Sequence, residues 1–158
     1  MIIINKRNLF FLISVWLLST LLSAQNVTIS TPHTQLLLSV PNGGTPEQLY
    51  YGSRTSDADI RSICETARRR NAYPVYGMGY PCETALSVRH ADGNLTLQMA
   101  VIGVKETRLT KENATLTVIE LKDKVYPFFV NICYKAWQDA DVIETWTEIR
   151  HEEKKPVQ

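Results

Sequence analysis

Charge of one sign is missing from this sequence: 17 lysines and arginines are nearly matched by 16 aspartates and glutamates, leaving a net charge of +1. Such a chain carries no long-range field to draw in nucleic acid or an anionic membrane surface. Cysteine is scarce as well. Cys64, Cys82 and Cys133 are odd in number and widely spaced, so a disulfide framework does not hold the fold, although one pair could bridge, Cys64 and Cys82 being nearer in sequence. These cysteines and His33, His90 and His151 show no metal-ligand spacing, and neither metal nor cofactor is expected. Also absent are the Gly-x-Ser-x-Gly elbow, His-Glu-x-x-His, a phosphate loop and a dinucleotide fingerprint.

Long apolar runs are missing except for one, Leu9 to Leu22, broken only by Ser14, Ser19 and Thr20. Lys6 and Arg7 precede it and Ser23-Ala24-Gln25 offers small residues for cleavage, which is the layout of a signal peptide over residues 1–24. The run is shorter than the roughly 18 to 20 residues that cross a bilayer. No cysteine follows it to accept a lipid. Export to a periplasm or the exterior is the expectation.

What remains, at 44% hydrophobic and 21% charged overall, suits one globular domain over residues 25–158. Its dominant pattern is alternation. Val27, Ile29, Leu36 and Leu38 predict two short strands split at Pro32, a turn follows at Pro41-Asn42-Gly43-Gly44, and Gln48 to Gly52 predicts another strand. Leu86, Val88 and His90 alternate, Asp92-Gly93 is a strong hairpin signal, and Leu95, Leu97, Met99 and Val101 alternate again. Thr115 to Lys122 adds a strand. The last third, from Val125, predicts two more, with Tyr126, Phe128, Val130, Ile132 and Tyr134 buried on one, an acidic turn at Trp137 to Asp141, and Val142 to Arg150 returning. His151 to Pro156 then reads as a charged turn opening a further strand.

One stretch is different. Between Ser56 and Asn71, Ile60, Ile63, Cys64 and Ala67 share one helical face, Ser56 or Asp57 can cap the start, and Arg68-Arg69-Arg70 fall in the last turn beside the negative carbonyls. Eight or nine strands with short turns and one short helical insertion predict an all-β antiparallel sandwich.

Catalytic candidates are weak. Paired carboxylates for sugar hydrolysis with retention must lie roughly 5 Å apart. Asp57 with Asp59 reads as a helix start, Asp139 with Asp141 as a turn, and Glu144 with Glu148 as the wet face of a strand, so no catalytic residue is assigned. Cys133 reads as a core thiol, and Cys82 lacks a supporting motif. The three arginines fit a solvated helix end better than an anion site. Tyr73, Tyr76 and Tyr80, in a loop rich in proline and glycine, are candidates for contact with a sugar or a subunit, against the plainer role of covering the core. Asn26, Asn94 and Asn113 begin glycosylation sequons, relevant only in a eukaryotic secretory pathway.

The order of Leu49-Tyr50-Tyr51-Gly52, then Thr84 to Leu95 with its His90-Ala91-Asp92-Gly93, then Tyr134 to Ile143 with Asp141-Val142-Ile143, and then Lys154-Lys155-Pro156-Val157 resembles the N-terminal domain of glycoside hydrolase family 36 α-galactosidases. The likeness runs over about residues 34 to 158. It implies a β-supersandwich that precedes a catalytic (β/α)8 barrel, packs on it and takes part in homo-oligomer contacts. It also implies that the nucleophile and acid are barrel aspartates acting at terminal α-galactosyl groups, without counterparts in these residues. Between Ser53 and Cys82 the sequence departs from the family's usual run, and no substrate-contacting residue carries over from there. The expected function is therefore that of a non-catalytic domain of an exported α-galactosidase, inactive alone. The alternative is a free-standing carbohydrate-binding or surface-interaction sandwich.

Overall fold

The computed structural model describes residues 25–158; the expected signal peptide over residues 1–24 lies outside them. Two four-stranded antiparallel sheets face each other. The first holds β1 (Gln25–Ser30), β2 (Thr34–Val40), β3 (Glu47–Ser53) and the two-residue β4 (Arg70–Asn71), in that order. The second holds β5 (Met99–Leu109), β6 (Ala114–Asp123), β7 (Phe128–Trp137) and β8 (Val142–His151). Each is a meander of sequential neighbours: short turns make every connection except that from β3 to β4, which runs through residues 54–69 and contains the helix. The all-β antiparallel sandwich read from the alternation is the fold observed.

The core lies where the inward sets of the two sheets meet. Val27 and Ile29 of β1 and Leu36, Leu38 and Val40 of β2 face Ile119 and Leu121 of β6 and Phe128, Val130, Ile132, Tyr134 and Ala136 of β7. A fully buried aliphatic side chain of this kind stabilises by about 1.5–3 kcal/mol, so this period-2 stripe is the main driving force for closure. Both ends of the sandwich are also tied by hydrogen bonds. The Gly43 amide donates to the Val101 carbonyl at 2.9 Å and the Val101 amide to the Gly44 carbonyl at 2.8 Å. At the other end the Thr31 hydroxyl donates to Asp141 at 2.5 Å, and the Gln138 amide nitrogen to the Ser30 carbonyl at 3.0 Å.

Three expectations need correction. The helix, α1, spans only Asp57–Thr66, and Ala67 leaves it in extended backbone (φ −64°, ψ 142°). Arg68 to Arg70 therefore do not sit in a helical last turn. The sheet captures them instead: Arg70–Asn71 pair with Glu47 and Gln48, and Arg69 bonds Glu47 at 2.9 Å and Ser39 at 3.0 Å. The start is as read, since Ser56 caps it and exchanges hydrogen bonds with Asp59 in a capping box.

Secondly, the hairpin expected around Asp92-Gly93 is a turn without ladders. Gly93 sits at φ +91°, its amide donates to the His90 carbonyl at 2.8 Å, and the His90 amide donates to the Asn94 carbonyl at 2.8 Å. Residues 86–98 form no strand, because their backbone groups bond elsewhere: Leu86 and Leu97 with Tyr76, and Arg89 reciprocally with Gln158. The alternation still marks the buried side, with Val88, His90 and Leu97 inside and Leu95 exposed. Thirdly, β8 keeps the expected two sides but is scarcely buried, with Val142 and Ile149 about half exposed, because it is the edge strand of its sheet.

Candidate functional site

Every carboxylate pair weighed from sequence has a local structural task. Asp59 Oδ2 accepts from the Ser56 hydroxyl at 2.7 Å, serving the helix start with Asp57 beside it. Asp139 Oδ1 accepts from Asn113 Nδ2 at 2.6 Å. Asp141, in left-handed backbone at φ +53°, accepts from the Thr31 hydroxyl and the His33 amide, and these bonds hold its carboxyl below the usual range. Glu144 accepts from the Trp137 ring nitrogen at 2.9 Å. Glu148 accepts from the Trp146 ring nitrogen and from Asn131, which lower its pKa. None of the five main recesses among the described residues is lined by both members of a pair. General acid and base roles need two carboxyls in one site with different surroundings.

The three candidate tyrosines are not brought together. Tyr80 lies beside Arg68, Arg69 and Arg70 in an open recess of about 450 Å³. Tyr76 lines another with Arg89, Leu95 and Gln158, of about 410 Å³. Tyr73 faces a third, a cleft of about 460 Å³ between β3 and β8. Tyr51 of β3 and Tyr134 of β7 share that cleft with it, as do Gln48, Thr145 and Thr147. No charged residue lines it. Burial raises the Tyr73 hydroxyl's pKa, an effect that its hydrogen bond with Thr147 partly offsets, and burial pushes Tyr134 up to about 12.

Cysteine chemistry is equally disfavoured. All three cysteines are free, and burial pushes the buried Cys133 thiol up to about 11, away from the reactive thiolate. Among the described residues no group of three or more His, Cys, Asp and Glu side chains is placed to hold a metal ion.

Sequence reasoning missed two buried polar clusters. His90, with a fully buried side chain, bonds Glu153 Oε1 through Nδ1 at 2.7 Å, while Glu153 Oε2 accepts from the Ala91 amide at 2.9 Å. Burial, the largest single influence on Glu153, opposes its charge, yet the bonds from His90 and Ala91 outweigh it and hold the carboxyl below the usual range. Tyr126 stacks on the His90 ring at 3.7 Å and Phe128 meets it edge-on, leaving Nε2 buried and without a partner. Enclosed in this way, the imidazole cannot reach a substrate; it pins the segment after β8 to the turn at Ala91. The second cluster centres on Asp123, 1% exposed, which accepts from the backbone amides of Gln98, Val125 and Tyr126. Its only signal in the sequence was an acid at the end of an apolar alternation.

The sequence model for the glycosyl hydrolase family 36 N-terminal domain matches residues 44–158. No curated protein matches the chain. Among solved structures, the family 36 α-galactosidase AgaA from Geobacillus stearothermophilus is similar with a TM-score of 0.71 at 15% identity, over 84% of this chain and 23% of that one. The α-galactosidase from Lactobacillus brevis gives 0.67 at 16% identity, over 80% and 21%. The galactosidase domain of the α-galactosidase-sucrose kinase AgaSK gives 0.66 at 22% identity, over 82% and 22%. At these identities the structures speak for the fold, and the chain spans between a fifth and a quarter of their length. It is the family match over residues 44–158 that carries membership: this chain belongs to the glycosyl hydrolase family 36 N-terminal domain.

Proposed function

We propose that this sandwich is the non-catalytic N-terminal domain of an exported α-galactosidase, which packs against a catalytic (β/α)8 barrel and contributes to contacts between subunits. The observation that carries the reading is the family match over residues 44–158, in a fold that forms a fifth to a quarter of each similar α-galactosidase. The chemistry of the described residues is consistent with it. Each carboxylate pair is spent on a cap, a turn or a strand-face hydrogen bond, so hydrolysis is assigned to residues outside this sandwich. Export rests on the signal-peptide pattern of residues 1–24.

An aryl α-galactoside assay tests this directly. The 158-residue chain alone is expected to give no turnover above buffer, and turnover abolished by replacing either member of one carboxylate pair with alanine would refute the reading. Secretion is tested separately by N-terminal sequencing of exported protein, which should begin at Gln25.

A further inference from the structure

The cleft between β3 and β8 has a chemical character that the proposed domain role does not use. Its floor is the aliphatic inner layer, from Leu36 and Ile132. Above that floor stand three tyrosines of graded exposure: Tyr134 is 8% exposed, Tyr73 half-buried, and Tyr51 64% exposed. Tyr134 is more than nine-tenths buried and lines the cleft, and its hydroxyl, which makes no hydrogen bond with any described residue, keeps some exposure there.

The walls offer further hydrogen-bonding groups. β4 pairs only with Glu47 and Gln48, so the outer edge of β3 from Leu49 to Ser53 has no strand beside it among the described residues. Among the described residues β8 likewise has none on its outer edge along its ten residues. The mouth therefore lies between two open sheet edges, with the hydroxyls of Thr145 and Thr147 and the Gln48 amide inside it. Absence of any charged lining residue makes the cleft a poor host for a phosphate, a carboxylate or a cation. A volume of about 460 Å³ falls within the range of roughly 300–1,000 Å³ that holds small molecules.

We propose that this cleft is a saccharide subsite, holding one neutral pyranose ring against Tyr51, Tyr73 and Tyr134. A pyranose has an apolar C–H face, which packs on aromatic rings, and a rim of hydroxyls that both donate and accept. The cleft supplies the complement of each: tyrosine rings for the face, and hydroxyls, an amide and edge backbone groups for the rim. With burial raising both Tyr73 and Tyr134, their hydroxyls stay protonated and able to donate across the physiological range. The cleft's own chemistry, not family membership, marks it as such a site, so a cleft that binds no sugar would leave the domain assignment standing.

Titrating the full chain with raffinose, by calorimetry and saturation-transfer NMR, tests it. Saturable binding is expected, with a dissociation constant on the order of 1 mM, as befits a single solvent-facing subsite. Tyr51→Ala should weaken it by about tenfold by removing the exposed ring, and Tyr73→Phe by about threefold by removing one hydroxyl. Because Tyr51 is largely exposed, its removal should leave the melting temperature unchanged, so that loss of binding reads as loss of the site. Absence of saturable binding, or binding indifferent to both substitutions, overturns the proposal. So does raffinose-independent self-association that Tyr51→Ala abolishes, since the cleft would then be a protein contact.

Discussion

Replacing Asp123 should be among the most damaging single changes in this domain, and the structure says by how much. Its Oδ2 accepts from the Gln98 amide at 2.5 Å, and its Oδ1 accepts from the amides of Val125 and Tyr126, each at 2.8 Å. One buried carboxylate thus closes the loop from β6 to β7 and fastens the start of β5. Hydrogen bonds to charged groups contribute about 1.5–3 kcal/mol each, offset here by the cost of burying the carboxylate. Asp123→Ala leaves three backbone donors without partners and should cost about 3–4 kcal/mol. For a domain of this size that lowers the melting temperature by roughly 10–15 °C. Asp123→Asn keeps the oxygen that serves Val125 and Tyr126 but turns an NH₂ toward the Gln98 amide, donor against donor, and should cost about half as much. Circular-dichroism melts at pH 7 with urea titrations measure both. An alanine variant melting within about 2 °C of the parent, or an asparagine variant as unstable as the alanine, would refute the atom-by-atom assignment.

Three further outcomes are expected. Asp141 and Glu153 have folded pKa values held below their ordinary carboxylate values, so the stability they contribute is present above about pH 4.5 and is lost as pH falls through their folded values; melting temperature against pH should be flat near neutrality and drop below about pH 4, less steeply in Asp141→Asn. Among the described cysteines, the exposed Cys82 should react with a thiol reagent within minutes, whereas Cys133, with its thiol raised to about 11, should react only after denaturation; equal rates in native buffer would contradict its burial. Gly77 sits at φ +95°, and a Cβ there would lie 2.6 Å from the Thr96 side chain and 2.9 Å from its Cα. Gly77→Ala should therefore destabilise by about 2 kcal/mol or more in the same melts, while Gly79→Ala, with open space around it, should lose only the backbone-conformation part, of order 1 kcal/mol.

Sequence and structure agree where one physical rule acted alone. The stripe of Phe128, Val130, Ile132 and Tyr134 had to be one buried face, because a strand's side chains alternate and only one set can reach the core. Ser56, one of the two caps the sequence offered with Asp57, starts the helix, since the amides of the first turn need an acceptor and Asp59 three residues on reciprocates. Disagreement came where two local rules competed. Arg68 to Arg70 suited a helix end by charge, yet pairing with β3 supplied backbone bonds and an ion pair with Glu47, and the sheet won. Residues 86–98 had the alternation and turn of a hairpin, but their backbone partners were Tyr76 and Gln158, distant in the chain and invisible to a local pattern.

The candidate site divides along the same line. Residue types and their order determined the class of fold and the likeness to the N-terminal domain of an α-galactosidase family, because those depend on periodicity and on motifs read along the chain. Which side chains meet was decided only by the tertiary structure. Tyr73, Tyr76 and Tyr80 lie within eight residues of one another and still face three different recesses, while Tyr73 meets Tyr51 and Tyr134 across the sandwich. His90 finds Glu153 in the same way, across 63 residues. Alternation fixes the face a side chain occupies, but the stacking of the two sheets fixes its neighbours, and that stacking is a sum over the whole core that no local stretch contains.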